Sequence, residues 1–226
     1  LFIGLFLLKT SGTYAQDLSG ITIYVNPGHG GFDSDDRNIP VGPYGPGDVN
    51  GFWESQSNLD KGVQLVELLK GAKANVYISR TTNTTADDLP LTQIVREANE
   101  CNADYMLSIH SNAGVTNYVL QLYAGVDPDD NHTYPTPTPH SDRSREISAK
   151  NLYANEVNCW ASDYTVRGDK TFAAQVMGWS NGYGVLRGLT VPGCISEGSM
   201  HDYIPETRRL MNMDYKWLEA WNFYKS

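Results

Sequence analysis

Two short apolar runs, each breaking at a histidine, set the tightest limits on how this chain can fold. Ile21-Thr22-Ile23-Tyr24-Val25 gives way to Asn26-Pro27-Gly28-His29-Gly30, and Tyr105-Met106-Leu107-Ser108-Ile109 ends in His110 before Ser111-Asn112-Ala113-Gly114. Runs rich in β-branched, aromatic and aliphatic residues and bounded by turn formers read as strands. A side chain at the point where such a strand becomes a loop projects into a cleft rather than into the core. A pair of histidines so placed invites a metal, whereas a lone one reads as a structural hydrogen-bonding residue. A third ligand is needed to choose between the two.

Around these runs the periodicity alternates. Trp53 to Lys70 reads as a helix, with Leu59, Val63, Val66 and Leu69 near the 3.6-residue period and Gly71 as its stop. Ala74 to Ser79 reads as a strand, Leu91 to Cys101 as a helix, Asp104 to His110 and Tyr118 to Tyr123 as strands. Arg145 to Trp160 and Lys170 to Gly178 read as helices, Leu189 to Glu197 as a strand and Pro205 to Tyr224 as a closing helix. The Gly/Pro/Asp-rich stretch from Gly30 to Gly51 predicts a loop without regular structure at the rim of a site, and Asp127 to Asp142 a second irregular loop, a candidate lid or partner contact. The alternation predicts an α/β fold: a single domain with a mixed, mostly parallel twisted sheet flanked by helices.

At 226 residues and 40% hydrophobic content the chain can bury one sizeable core. A net charge of -9 and a pI near 4.9 exclude nucleic acid as a partner, because binding a phosphate backbone takes a basic face. Residues 1–15 read apart from the rest. Leu1 to Leu8 is apolar throughout and Thr13-Tyr14-Ala15 resembles a small-residue cleavage site, so this segment is expected to be the remnant of a secretory signal peptide. It is too short to span a bilayer, which leaves residues 16–226 as the mature domain with no membrane span. Cys101, Cys159 and Cys194 lack Cys-x-x-Cys spacing, allow at most one disulfide and leave a free thiol, with Cys194 expected to be buried and inert.

In open parallel sheets the reactive groups gather beyond the carboxyl ends of the strands. His29, His110 and Glu197 all fit that rule, and Glu54 opens a helix at the same rim. Two histidines and one glutamate with an open fourth position form a recurrent ligand set for catalytic zinc, which leaves the other carboxylate free to move a proton. Taken singly, Glu54 reads equally well as a first-turn carboxylate favoured by the helix dipole, and Glu197 as a surface residue.

The combination is more specific. Asn26-Pro27-Gly28-His29-Gly30-Gly31, Glu54, Ser108-Ile109-His110-Ser111-Asn112-Ala113 and Pro192-Gly193-Cys194-Ile195-Ser196-Glu197-Gly198 occur in that order, with Ala98-Asn99, Ala103-Asp104 and Gly184-Val185-Leu186-Arg187 between them. From about Ile21 to the last helix the chain resembles the zinc-dependent N-acetylmuramoyl-L-alanine amidases of the third amidase family. The resemblance implies Zn2+ held by His29, Glu54 and His110, with Glu197 as catalytic carboxylate. It also implies peptidoglycan as substrate, cut at the amide between N-acetylmuramic acid and L-alanine, an amidase catalytic domain over residues 16–226, and a periplasmic or secreted bacterial protein. Three departures mark a divergent branch: Gly198-Ser199-Met200-His201-Asp202 replaces the usual tail after the catalytic glutamate, Ile94 stands where an arginine is common, and the segment after His110 lacks the usual Gly-containing lead into the next strand. The divergent tail keeps open a same-fold amidase or peptidase acting on another acyl substrate. A non-catalytic wall-binding protein is the rival from another class, and retention of all four site residues argues against it. The sequence leaves the oligomeric state open.

Other polar residues carry two readings each. His201 is expected to be a partly exposed structural histidine, the rival reading being a contact to a substrate carboxylate or a reacting oxygen. His132 and His140, among Asp127, Asp129, Asp130 and Asp142, are expected to be solvated loop residues, with a weak metal site as the alternative. Arg187 reads as either a peptide-carboxylate ligand or an ion-pair partner. Trp53, Tyr44, Tyr183 and Trp179 read as core residues or as the lining of a sugar or peptide groove.

Overall fold

A computed structural model describes residues 16–33, 37–42, 50–114, 116–158 and 163–226, so the expected signal remnant, Tyr44, Cys159 and Trp160 lie outside the described residues. Along the chain come β1 (Thr22–Pro27), β2 (Asn38–Ile39), β3 (Phe52–Trp53), α1 (Glu54–Gly71), β4 (Asn75–Ile78) and a 3-10 turn at Thr85–Asp87. They are followed by α2 (Leu91–Glu100), β5 (Tyr105–Asn112), β6 (Tyr118–Tyr123), α3 (Ser141–Asn158) and β7 (Asp163–Gly168). Next are α4 (Asp169–Phe172), which runs into a π-helical turn at Ala173–Met177, then β8 (Gly193–Met200), α5 (Ile204–Leu210) and α6 (Met213–Lys225).

The main sheet has the order β4-β1-β5-β8-β6-β7, with every neighbouring pair parallel except β6 and β8. It is the α/β sheet expected from the alternation of runs. Successive residues face opposite layers, as the pleat requires. On one side Tyr24, Met106, Leu120, Leu122 and Ile195 pack with Ile94, Val95 and Ala98 of α2. On the other, Val25, Leu107, Ile109 and Cys194 pack with Leu65 and Leu69 of α1 and Ala220 and Phe223 of α6. Full burial of one such aliphatic side chain contributes about 1.5–3 kcal/mol. This alternation puts Ser108, His110 and Glu197 on the α2 side of the sheet.

The helix layer is tied by charge as well. Lys61 Nζ of α1 lies 3.0 Å from Glu219 Oε2 of α6, both side chains fully buried, and Lys216 Nζ lies 2.7 Å from Asp60 Oδ2. Glu219 in turn lies against Gly198, where a Cβ would come within 2.2 Å of Glu219 Oε1. The first contact is a charge pair without a well-aligned hydrogen bond.

Several elements differ from the sequence reading. The stretch Gly30 to Gly51 is not wholly irregular: β2 pairs antiparallel with β3, Asn38 opposite Trp53 and Ile39 opposite Phe52. Trp53 therefore closes a strand, and α1 starts at Glu54. Strand β7 had no sequence counterpart; it is a half-buried edge strand that opens on Asp163 and carries Arg167, so its apolar signal is weak. Helix α3 begins at Ser141, inside the expected loop, with Ser144 N donating to His140 O. Strand β8 starts only after Pro192 and continues three residues past Glu197. The closing helix is two helices, because Asn212 accepts hydrogen bonds from the Asp214 and Tyr215 amides and caps α6 anew.

Candidate metal centre

Gly28 N still donates to Ile109 O, so β1 remains tied to β5 as it turns, and His29 then adopts a left-handed backbone with φ of 63°. A non-glycine residue in that region carries strain of about 1 kcal/mol or more and persists only where its surroundings hold it. Here they do. Gly30 and Gly31 press so closely on the Thr84–Asp88 turn that a Cβ would meet Asp88 N at 2.4 Å and Thr85 N at 2.7 Å. Buried Arg80 grips the turn from below: Nε donates to Pro27 O (2.9 Å), and Nη2 donates to Gly28 O (3.1 Å) and to Ser55 O in the first turn of α1 (2.6 Å). One guanidinium thus joins the segment carrying His29 to the helix carrying Glu54.

The three expected ligands converge. His29 Nε2 lies 3.3 Å from Glu54 Oε2, His110 Nδ1 lies 3.1 Å from Glu54 Oε1, and the two imidazole rings meet edge to face with centroids 5.0 Å apart. One donor atom from each of the three residues can be chosen so that all lie within 4.8 Å of one another, the only such group of His, Cys, Asp and Glu among the described residues. Glu54 is buried and also accepts from Ser111 N at 2.9 Å. Burial alone would raise its pKa, but the hydrogen bonds and charges of His110 and His29 outweigh burial and hold the carboxylate well below its usual range. Burial lowers the pKa of His110, against the pull of Glu54.

Glu197 stands directly beside His110 in the sheet register, on the same face. Its Oε2 is buried without a hydrogen-bond partner among the described residues. Burial first, and then the negative charge of Glu54, push its pKa up to about 8, with His29 and Lys61 pulling the other way. A cavity of about 360 Å³ opens beside His29 and His110, lined also by Asn26, Gly28, Asp87 and Leu91. A second cavity of about 300 Å³ lies on the α1 and α6 side between Leu65, Tyr105, Cys194 and Phe223 and touches none of them.

The remaining expected residues sort clearly. His201 is buried, correcting its expected partial exposure: Nδ1 donates to Ser111 O at 2.8 Å, and the ring stacks on Phe52. Arg187 donates to the backbone oxygens of Asn181 and Gly182, so among the described contacts it makes no ion pair. The loop bearing His132 and His140 is pinned through Asp127 to Arg167 and through Asp130 to Thr171 and Tyr134, and it stays apart from the centre. Trp53 packs edge-on against Phe32. Tyr183 is partly buried against the core, with Trp179 edge-on above it at 45% exposure. Cys194 is buried and free, its thiol pushed up to about 11 by burial, while Cys101 is free and half-buried. Arg80, Ser111 and Phe52 were not singled out from the sequence. Ser111 was present there only as a member of the motif around His110, and Arg80 follows directly on the expected strand Ala74 to Ser79.

The profile of a family described as N-acetylmuramoyl-L-alanine amidase matches residues 23–225. The chain is 36% identical over 109 residues to N-acetylmuramoyl-L-alanine amidase CwlM of Bacillus licheniformis, covering 47% of this chain and 38% of that protein. It is 28% identical over 178 residues to N-acetylmuramoyl-L-alanine amidase LytC of Bacillus subtilis, covering 79% of this chain and 31% of that protein. It thus spans well under half the length of these curated relatives. Its fold is similar to that of the catalytic domain of CwlV, an N-acetylmuramoyl-L-alanine amidase from Bacillus (Paenibacillus) polymyxa var. colistinus, with a TM-score of 0.65 and 19% identity, covering 91% of this chain and 94% of that one. With the profile running from β1 to the end of α6, the chain belongs to the N-acetylmuramoyl-L-alanine amidase family.

Proposed function

We propose that this domain is a zinc-dependent hydrolase that cuts the amide between N-acetylmuramic acid and L-alanine in peptidoglycan. The observation that carries the reading is the convergence of His29, Glu54 and His110 beside a carboxylate, Glu197, whose Oε2 has no partner among the described residues. Two imidazole nitrogens and one carboxylate oxygen suit zinc, and Glu54 stays ionised as a ligand must. When bound, zinc supplies a Lewis acid and makes water a competent nucleophile near neutral pH.

The chain's own residues supply the rest. Glu197 Oε2 accepts a proton from the attacking water and returns it to the alanine nitrogen as the amide breaks, releasing a free amine and a carboxylate. In the metal-free protein burial and the charge of Glu54 raise the pKa of Glu197; the positive charge of a bound zinc would favour its ionised form, the form that accepts a proton. Ser111 N holds Glu54 Oε1 in place, and Arg80 keeps the His29 turn seated on α1. The cavity between His29, His110 and the Asp87 turn is where the stem peptide enters. A peptidoglycan substrate places the work in the periplasm or outside the cell, in keeping with the signal-like residues 1–15; no helix among the described residues is long and apolar enough to cross a membrane.

The test is a pair of measurements on Glu197→Gln. This variant should bind one zinc as tightly as wild type, measured by chelator competition, while muramyl-peptide turnover falls by about 10²-fold or more, as expected when a positioned proton carrier is removed. Turnover near the wild-type rate would take Glu197 out of the reaction. A wild-type chain that takes up no zinc would remove the metal.

A further inference from the structure

We infer that His201 is a positioning residue for the metal centre, acting through Ser111 on Glu54; the inference rests on the zinc reading above. The argument begins at a break in the sheet. Strands β5 and β8 run in register to the pair His110 and Glu197, but the next pair is Asn112 and Met200. Two residues of β8, Gly198 and Ser199, therefore stand opposite the single residue Ser111. Such a bulge costs its strand regular ladder contacts, and bulges next to a site re-aim the groups around them.

His201 takes up what the bulge leaves loose. Its Nδ1 donates to Ser111 O at 2.8 Å, and its own amide donates to Asn112 O at 2.8 Å, so one residue holds β5 at two successive carbonyls. Because a carbonyl only accepts, Nδ1 carries a proton, and that N–H dipole also lies 3.7 Å from Glu54 Oε2. Ser111, held from behind, aims its amide at Glu54 Oε1 (2.9 Å). The imidazole itself has little freedom: it stacks on Phe52, two residues before Glu54, with centroids 5.9 Å apart and planes 18° from parallel, and Thr207 Oγ1 donates to His201 O at 2.6 Å. Glu54 Oε1 is thus held by a hydrogen bond from Ser111 N, while Oε2 faces the His201 N–H at 3.7 Å, an electrostatic contact rather than a hydrogen bond. The brace is built from the end of β8 and the turn that follows it.

Groups that orient a metal ligand typically cost about 10–100-fold in metal affinity when lost. Three variants separate this role from plain packing. His201→Phe keeps the stacking on Phe52 and removes the donor; His201→Asn keeps an N–H donor at the same remove from the backbone and loses the ring; His201→Leu stands in if the Phe variant does not fold. Zinc affinity is read by chelator competition, and thermal unfolding of each metal-free protein is read alongside. The expected result is a zinc affinity about 10–100-fold weaker for His201→Phe, recovered to within about threefold by His201→Asn, without correlation to the thermal midpoints. Wild-type affinity in His201→Phe, or losses that simply track the thermal midpoints, would overturn the inference while leaving the zinc reading intact. A wild-type chain that takes no zinc would overturn both.

Discussion

Gly28 is the residue whose substitution tests the packing of the centre most sharply. Its α-carbon lies under the His110 ring, and a Cβ built there would sit 2.1 Å from Cε1, 2.2 Å from Nε2 and 2.7 Å from Nδ1 of His110. Carbon atoms in contact sit about 3.5 Å apart, so in Gly28→Ala the ring must retreat by about 1.4 Å. Metal–ligand distances tolerate about 0.2 Å, which makes that retreat several times too large for His110 to remain a ligand in place. With one of three ligands displaced, zinc affinity should fall by at least about 10²-fold, or about 2.7 kcal/mol at 1.36 kcal/mol per tenfold. The fold should survive, because Gly28 lies outside the left-handed region and the contact is with a side chain rather than with backbone. Chelator competition gives the affinity and circular dichroism the fold. The same change placed in a His110→Ala background should cost almost nothing further, since the clash is gone. Zinc binding by folded Gly28→Ala within about threefold of wild type would refute the reasoning.

Other consequences follow from the same contacts. Arg80→Lys cannot reproduce the fork that reaches Pro27, Gly28 and Ser55, so zinc affinity should drop about tenfold through the loosened His29 turn; an unchanged affinity would show that the turn holds itself. Lys61→Met strands the buried Glu219 carboxylate and should cost about 3–5 kcal/mol in urea unfolding, whereas Lys61→Met with Glu219→Gln should recover much of it; a single-variant loss below about 1 kcal/mol would contradict this. In the metal-free protein the raised pKa of Glu197, about 8 against an ordinary 4.5, means the folded state keeps a proton that the unfolded chain has lost. Stability should therefore fall as pH rises through that range. His110, whose pKa is lowered, works oppositely below its ordinary 6.5, which leaves pH 6.5 to 8 as the clear window. The fall there should be at most about 2 kcal/mol and should flatten in Glu197→Gln; a wild-type stability flat or rising across that window counts against the assigned shift.

What could be read in the sequence was whatever local patterning dictates. His29 and His110 were visible because each ends an apolar run, and the alternation of runs gave the layered α/β sheet. Glu54 and Glu197 were visible only in combination, since a first-turn glutamate and a strand-end glutamate each have a bland explanation. Arg80 escaped because its partners are backbone carbonyls from distant segments, which no side-chain pattern announces. The burial of His201 escaped for the same reason: Phe52 and Ser111 meet it only once a bulge has shifted the register after Glu197. The break in the closing helix was legible in principle, because Asn212 followed by Met213-Asp214 is a capping signal, but the apolar period running through it dominates. Strand β7 lies at an edge and is half-polar, so its residues need not alternate strongly to stay folded.

The central claim is a particular bond cleavage by a metal-loaded site, and its products identify it. Purified peptidoglycan would be incubated with the zinc-loaded chain, with the chelated chain and with Glu197→Gln, and the soluble products weighed by mass spectrometry. The account predicts stem peptides with a free L-alanine amino terminus, appearing only with the zinc-loaded wild type. Such peptides released equally by the chelated chain, or soluble products in which the muramic acid is still joined to L-alanine, would contradict it.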